Sequence, residues 1–328
     1  MNGFVDIQVN GILGVDFTGD GLALDDVRRA TRELADRGTI AYCPTVVEAS
    51  DETLRRNLAL LAAAMDEPDL AGHILGIHLE GPFISPEDGA RGAHQTEFLK
   101  QPSIHEFERL WEWANGRVAI LTLAPELPGA EELIRHAAKR GVVVAIGHSD
   151  ADAGTIARAV EAGARCSTHL GNGTSDVIHR HRNPIWPQLA CDELFASFIT
   201  DGHHLPPEFI KSAIRAKGVS RSIVVSDSVA LAGMPPGDYD LRGKRLHLDT
   251  SGRLGLAGTP YLAGSASTMM QCMNHLASLG ILTEAELWQV GRFNPLKLLG
   301  GDNSAVAALE GPEVEFNGNG FVLRGKSV

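Results

Sequence analysis

Glu80, His148 and His169 are the residues of this sequence whose types and positions best suit a metal ion. Glu80 ends the run Ile77-His78-Leu79 and is followed by a Gly81-Pro82 break, His148 follows Ala145-Ile146-Gly147, and His169 follows Ser167-Thr168. A carboxylate that closes an apolar strand just before a turn stands at the rim of a sheet, where sites are built. One carboxylate and two imidazoles on three separate strand ends make a hydrolytic zinc set that leaves a coordination position open for water. Gln8 and Asn10 close the first apolar run and Asp227 the last, so five strand ends supply polar groups to one cavity. A single strand-end His more often supports its neighbours by hydrogen bonds than binds a metal, and Asp227, between Ser226 and Ser228, equally suits an N-cap. The joint pattern is what points to a site. His78, two residues before Glu80, lies a layer deeper and reads as a structural core histidine.

The elements that must position these residues follow from periodicity. Apolar strand-like runs occur at Phe4 to Asn10, Ile40 to Val46, Ile74 to Glu80, Val118 to Leu123, Val142 to His148, Arg165 to His169, Phe195 to Thr200 and Ser222 to Asp227. Amphipathic helices are predicted between them at Asp25 to Arg37, Glu52 to Met65, Ala130 to Arg140, Ala153 to Ala162 and Pro207 to Lys217, several closed by Gly. Strands that alternate with helices pair in parallel, and eight such units in about 230 residues match a closed (β/α)8 TIM barrel better than an open sheet. Helices at Ser265 to Leu279 and Thr283 to Gly291 are expected after the eighth strand, preceded by a β-hairpin excursion at about 240–258. The expected organisation is a barrel over residues 1–300, hairpin included, and a C-terminal tail over 301–328.

Composition narrows the function. A chain of 328 residues with 44% hydrophobic content can bury a large core. Against 29 basic residues stand 41 acidic ones, a net charge of -12 with no Lys/Arg-rich block, so nucleic acid and anionic membrane are poor partners. No run reaches the roughly 18 apolar residues of a membrane span, and the N-terminus lacks the pattern of a signal peptide, so a soluble cytoplasmic protein is expected. Cys43, Cys166, Cys191 and Cys272 show no close pairing and read as core residues, which argues against disulfides and a cysteine zinc cage.

Eight segments, in order, resemble the N-acetylglucosamine-6-phosphate deacetylase family of the amidohydrolase superfamily. They are Phe4-Val5-Asp6-Ile7-Gln8-Val9-Asn10-Gly11, His78-Leu79-Glu80-Gly81-Pro82-Phe83, Gly92-Ala93-His94, Gly147-His148-Ser149, Thr168-His169-Leu170-Gly171-Asn172, Asp201-Gly202-His203-His204, Ser226-Asp227 and Leu262-Ala263-Gly264-Ser265-Ala266. The resemblance spans nearly the whole chain. It implies a divalent metal, zinc or iron, on Glu80, His148 and His169, with Asp227 as acid/base. Related amidohydrolases often carry His-x-His on the first strand for a second metal, where this chain has Gln8-x-Asn10, amides that hold a hard cation poorly. One metal per subunit is the expectation. The resemblance further implies Ala93 and His94 at the bound sugar, Asn172, Gly173, Arg180 and His204 at its phosphate, and a homodimer in which segments 173–184 and 201–204 approach the neighbouring active site. The sequence departs from the family at His179-Arg180-His181-Arg182-Asn183-Pro184, where one Arg followed by Glu-Pro-Gly is usual. The family's small β-sandwich is expected to be absent or much reduced, with the hairpin and Val314 to Leu323 as remnants.

The activity implied is metal-dependent hydrolysis of the N-acetyl amide of N-acetylglucosamine 6-phosphate. Two alternatives remain open on sequence: an amidohydrolase for an unphosphorylated or different N-acyl amino sugar or a cyclic amide, and a non-catalytic sugar-phosphate binding protein.

Overall fold

Residues 1–258 and 262–324 are described by the computed structural model; 259–261 and the last four of the expected 301–328 tail lie outside the described residues. Eight parallel strands form one sheet in sequential order: β1 (Phe4–Val9), β2 (Thr39–Val47), β3 (Ile77–Glu80), β4 (Val118–Leu123), β5 (Val143–Ile146), β6 (Ala164–Ser167), β7 (Phe195–Ile199) and β8 (Ser222–Val225). Helices cover the outer face, so strands are buried on both sides and read as unbroken apolar runs rather than alternating ones; every residue of β2 but Val47 is buried. β8 returns to β1, where the Asn10 and Gly11 amides donate to the Ser228 carbonyl at 2.8 and 3.0 Å and Val9 bridges Ser228. This closes a (β/α)8 barrel. Seven of its strands contribute to one apolar cluster that includes Val5, Cys43, Ile120, Ala145, Cys166, Ile199 and Ile223, which fills the interior.

Several strands stop earlier than the apolar runs suggest. β5, β6 and β8 end at Ile146, Ser167 and Val225, leaving His148, His169 and Asp227 just beyond the ladder with φ of 51°, 30° and 49°. A positive φ turns the backbone out of the β region, so the side chain at that position is re-aimed from the strand axis. β3 begins late, at Ile77, because Gly76 (φ 141°) breaks the approach.

The helices are α1 (Leu24–Ala35), α2 (Asp51–Ala64), α3 (Ile104–Trp113), α4 (Ala130–Lys139), α5 (Ala153–Ala162), α6 (Ile185–Ala190), α7 (Pro207–Lys217) and α8 (Met269–Ser278). The sequence pattern misses α3, which buries only Phe107 and Leu110, and α6, which has six residues with Pro187 inside. α8 starts at Met269, not Ser265. Thr268 is its N-cap in a capping box with Gln271, while Ser265 is drawn into a bridge with Ser228 beside the barrel seam. α9 (Glu284–Trp288) does not stop at Gly291; a π-helical turn, Gln289–Phe293, carries it into α10 (Asn294–Leu299). Gly291 is there for close approach, since a Cβ would meet Met273 Sδ at 2.9 Å and the Phe4 ring at 3.0 Å.

The excursion is a three-stranded antiparallel sheet of β9 (Gly237–Leu241), β10 (Lys244–Leu248) and β11 (Leu254–Leu256). It packs Leu246, Leu248 and Leu254 on Leu231 and Ala266, and Arg242 Nε bonds Asp16 at 2.7 Å. After α11 (Asn303–Ala307), β12 (Val314–Phe316) and β13 (Phe321–Leu323) pair as a hairpin, with Phe321 against Phe4 and Trp288 at 4.9 and 5.0 Å between ring centroids. No helix among the described residues is long and apolar enough to cross a membrane.

Asp6 ties the seam that positions Gln8 and Asp227. Its buried carboxyl accepts the Gln8 amide at 3.2 Å and the Ser226 amide and hydroxyl at 3.2 and 2.5 Å. Burial pushes its pKa up to about 7, against the lowering effect of those hydrogen bonds. Between roughly pH 4 and 7 the unfolded chain therefore binds fewer protons than the folded one, and the Asp6 contribution to stability is full below that window and lost as pH rises through it. Urea unfolding of wild type and Asp6→Asn at pH 5 and pH 8 checks this. The variant, with no proton to lose, should gain on the order of 2 kcal/mol relative to wild type between the two; a pH-independent difference refutes the assignment.

Candidate active site

At the C-terminal rim, Glu80 Oε1 lies 3.1 Å from His148 Nε2 and 3.0 Å from His169 Nε2, and the two imidazole nitrogens are 3.1 Å apart. All three residues are buried, and among the described residues they are the one cluster with the proximity to share a metal ion. Gln8 Nε2 donates to the same Glu80 oxygen at 3.0 Å, and Asn10 Nδ2 donates to Asp227 Oδ1 at 2.7 Å. Two amides, one on β1 and one just past its end, thus each hold one of the two carboxylates.

The donor set fits a divalent cation. His148 Nδ1 lies 2.9 Å from the Ala90 carbonyl, which only accepts, so Nδ1 carries a proton and Nε2 is the nitrogen this ring can offer to a cation. An anionic oxygen and two ring nitrogens that meet at 3 Å repel one another until a proton or a cation stands between them. Burial raises the Glu80 pKa, but the hydrogen bonds and charge of His148 and His169 outweigh it and hold the carboxyl well below its ordinary value. Asp227 goes the other way: burial first, then the neighbouring Glu80 charge, raise it to about 8. A divalent charge on Glu80 opposes that rise. One carboxylate kept ionised beside another that can hold a proton is the arrangement of a ligand next to an acid/base.

Comparison with known proteins decides the family. No family model matches the chain. It is 36% identical over 316 residues to the N-acetylglucosamine-6-phosphate deacetylase of Bos taurus, covering 91% of this chain and 74% of that protein, and 31% identical over 301 residues to that of Bacillus subtilis, with the same coverage. The chain belongs to the N-acetylglucosamine-6-phosphate deacetylase family. Among solved structures, a Mycobacterium smegmatis deacetylase mutant in complex with N-acetyl-D-glucosamine-6-phosphate superposes with a TM-score of 0.83 at 30% identity, covering 92% of this chain and 77% of that one. A second structure of the Mycobacterium smegmatis deacetylase gives 0.84 at 28%, over 98% and 86%.

The residues that the family resemblance assigns to substrate divide into two groups. His94 reaches the centre: its Nε2 is 3.1 Å from His148 Nε2, and the two rings stand edge to face at 4.2 Å. Gly173 lies over the imidazoles, where a Cβ would meet His148 Nδ1 at 2.9 Å, and its carbonyl takes the Ser149 amide at 3.0 Å. Asn172 folds back, its Nδ2 on the His169 carbonyl at 3.1 Å. His204 is held by Asp201 at 2.8 Å; burial opposes the ionisation of Asp201, yet its bonds and charge interaction with His204 keep its carboxyl far below the ordinary range. Arg180 and Arg182, by contrast, are exposed on the 176–182 segment, and among the described residues no hydrogen bond links them to the Glu80 centre. The Ala93 carbonyl accepts from Lys244 Nζ at 2.5 Å, a lysine delivered by β10.

Sequence reasoning overlooks Glu48 and Lys244. Glu48 follows β2 directly, the same carboxylate-after-strand signal that marks Glu80, and could have been read. Lys244 gives no such signal, because its role depends on the sheet folding back over the rim.

Metal binding to the folded chain alone stabilises it, by about 2.7 kcal/mol at a hundredfold excess of free ion over Kd. Zinc added to metal-stripped chain should therefore raise Tm by several degrees and leave about one tightly bound equivalent by elemental analysis. In His148→Ala both effects should vanish; an unshifted wild type, or two tight equivalents, contradicts a single site.

Proposed function

We propose that the protein is a metal-dependent deacetylase that hydrolyses N-acetylglucosamine 6-phosphate to glucosamine 6-phosphate and acetate, in amino-sugar catabolism. The observation that carries this reading is the pairing of the buried Glu80, His148 and His169 cluster with Asp227 across the Gln8 and Asn10 amides, in a chain of this family. Glu80, His148 and His169 would hold one divalent ion, zinc in the first instance and iron as the alternative. Such an ion supplies Lewis acidity to the amide carbonyl and brings the pKa of water toward about 7.

Asp227 does the proton work. Ionised, it accepts a proton from the attacking water; protonated, it returns that proton to the amine, which must be protonated before the C–N bond of the tetrahedral intermediate breaks. The Asn10 amide occupies Oδ1 at 2.7 Å, so Oδ2 is the oxygen left to exchange the proton. Burial of the Asp227 carboxyl supports the second half of the cycle, because it favours the protonated acid. Ala93 and His94 would meet the N-acetyl sugar, and Asn172, Gly173, Arg180 and His204 its phosphate. The exposure of Arg180 supports a role toward a neighbouring subunit, with segments 173–184 and 201–204 of one protomer close to the site of the other in a soluble cytoplasmic homodimer. In this reading residues 1–300 are the barrel, with the three-stranded sheet as its insertion.

Asp227→Asn should retain metal and fold but lose several orders of magnitude in kcat, because an amide neither accepts nor returns the proton. Near-normal turnover removes Asp227 from the mechanism. Substrate choice is tested by steady-state comparison of N-acetylglucosamine 6-phosphate with N-acetylglucosamine. Charge-assisted phosphate contacts worth about 1.5–3 kcal/mol each predict a kcat/KM advantage of at least about a hundredfold for the phosphorylated sugar, most of it erased in Arg180→Ala. Equal rates with and without phosphate overturn the sugar-phosphate assignment and leave an N-acyl amino sugar as substrate.

A further inference from the structure

We infer that Glu48 is a positioning residue of this deacetylase, fixing the tautomer and ring plane of His94 so that His94 Nε2 is presented to the reacting amide. The inference rests on the function proposed above. Glu48 directly follows Val47, which pairs with Glu80 across β2 and β3, so the two carboxylates leave neighbouring strands at the same level of the rim. It is 3% exposed and both its oxygens are engaged: Oε1 accepts the Gln95 amide at 2.6 Å, and Oε2 accepts His94 Nδ1. A carboxylate has no proton to offer, so the His94 proton stands on Nδ1 and faces Glu48. Nε2 is then the nitrogen turned to the centre, 3.1 Å from His148 Nε2.

The acceptor is in the state this needs. Burial raises the Glu48 pKa, but the interaction with the His94 ring and the hydrogen bond of the Gln95 amide reverse the effect and hold it below its ordinary value. A buried carboxylate is costly without partners, and here its partners are the catalytic-side imidazole and the amide next to it. The loop itself has other anchors. Lys244 Nζ donates to the Ala93 carbonyl at 2.5 Å, and Arg91 Nη1 to the Pro86 carbonyl at 2.8 Å. Loss of Glu48 should therefore free the His94 ring while the loop keeps its place.

Glutamine is the informative substitution, since it offers one acceptor and one donor where Glu48 accepts twice. In Glu48→Gln either the Gln95 amide loses its partner or His94 must move its proton to Nε2. The test compares full-length, zinc-loaded wild type, Glu48→Gln, His94→Ala and the double variant, with zinc content, Tm and kcat/KM on N-acetylglucosamine 6-phosphate. Nitrogen-15 spectra report the His94 tautomer, its signal being the one missing in His94→Ala. We expect Glu48→Gln to lose about 10- to 100-fold in kcat/KM with zinc content unchanged, by the usual effect of removing a residue that orients a site group. The same change in the His94→Ala background should cost less than about threefold, and the His94 Nδ1–H signal should be lost or replaced by Nε2–H. Wild-type kinetics in Glu48→Gln, or an equal loss in both backgrounds, overturns the inference and makes Glu48 a loop anchor. If wild type itself fails to deacetylate the substrate, the function is what fails; the spectra still decide Glu48, with an unchanged His94 tautomer in Glu48→Gln counting against it.

Discussion

A carboxylate buried between two imidazoles is the constraint on which the rest of the rim depends. Glu80 Oε1 has three nitrogens within 3.1 Å, from Gln8, His148 and His169, and the charge it carries lies inside a closed barrel. An isolated ion in such a place costs several kcal/mol or more, so it persists only where its neighbours offer compensation. Around it, His148 is tied down by the Ala90 carbonyl and Asp227 by Asn10. The result is a preformed set of buried ligand atoms gathered around one point of the rim.

The backbone contributes to the same end. Among the described residues, six that are not glycine have a positive φ, and three of these are His148, His169 and Asp227. Left-handed conformations cost a non-glycine residue about 1–2 kcal/mol each, and they recur where a chain must aim a side chain rather than continue a ladder. Strands β5, β6 and β8 each end two residues before His148, His169 and Asp227 for this reason. The rigid sheet fixes the position, and the strained residue after it fixes the direction.

How much of this was legible in the sequence depends on how local its cause is. Eight apolar runs and the residues that close them were readable because a parallel strand is buried on both faces and a rim residue breaks that pattern at once. The strand-end placement of Glu80, His148 and His169 is readable that way. α3 was lost because two buried residues do not make a periodicity, and the start of α8 was misplaced because Ser265 is claimed by a bridge to Ser228, a contact between distant segments. The Glu48 to His94 contact joins residues 46 apart in sequence. Arg180 shows the opposite case, a residue singled out by its neighbours in sequence whose partner, in the function proposed, belongs to another copy of the chain.

The central claim is that one cation is held by Glu80 and two imidazoles. X-ray absorption at the zinc edge, on chain loaded with one equivalent, tests it most directly. The account predicts a first shell of nitrogen and oxygen only, at about 2.0–2.2 Å, with the outer-shell scattering of two imidazole rings. A shell containing sulfur at about 2.3 Å, or one without imidazole scattering, contradicts it.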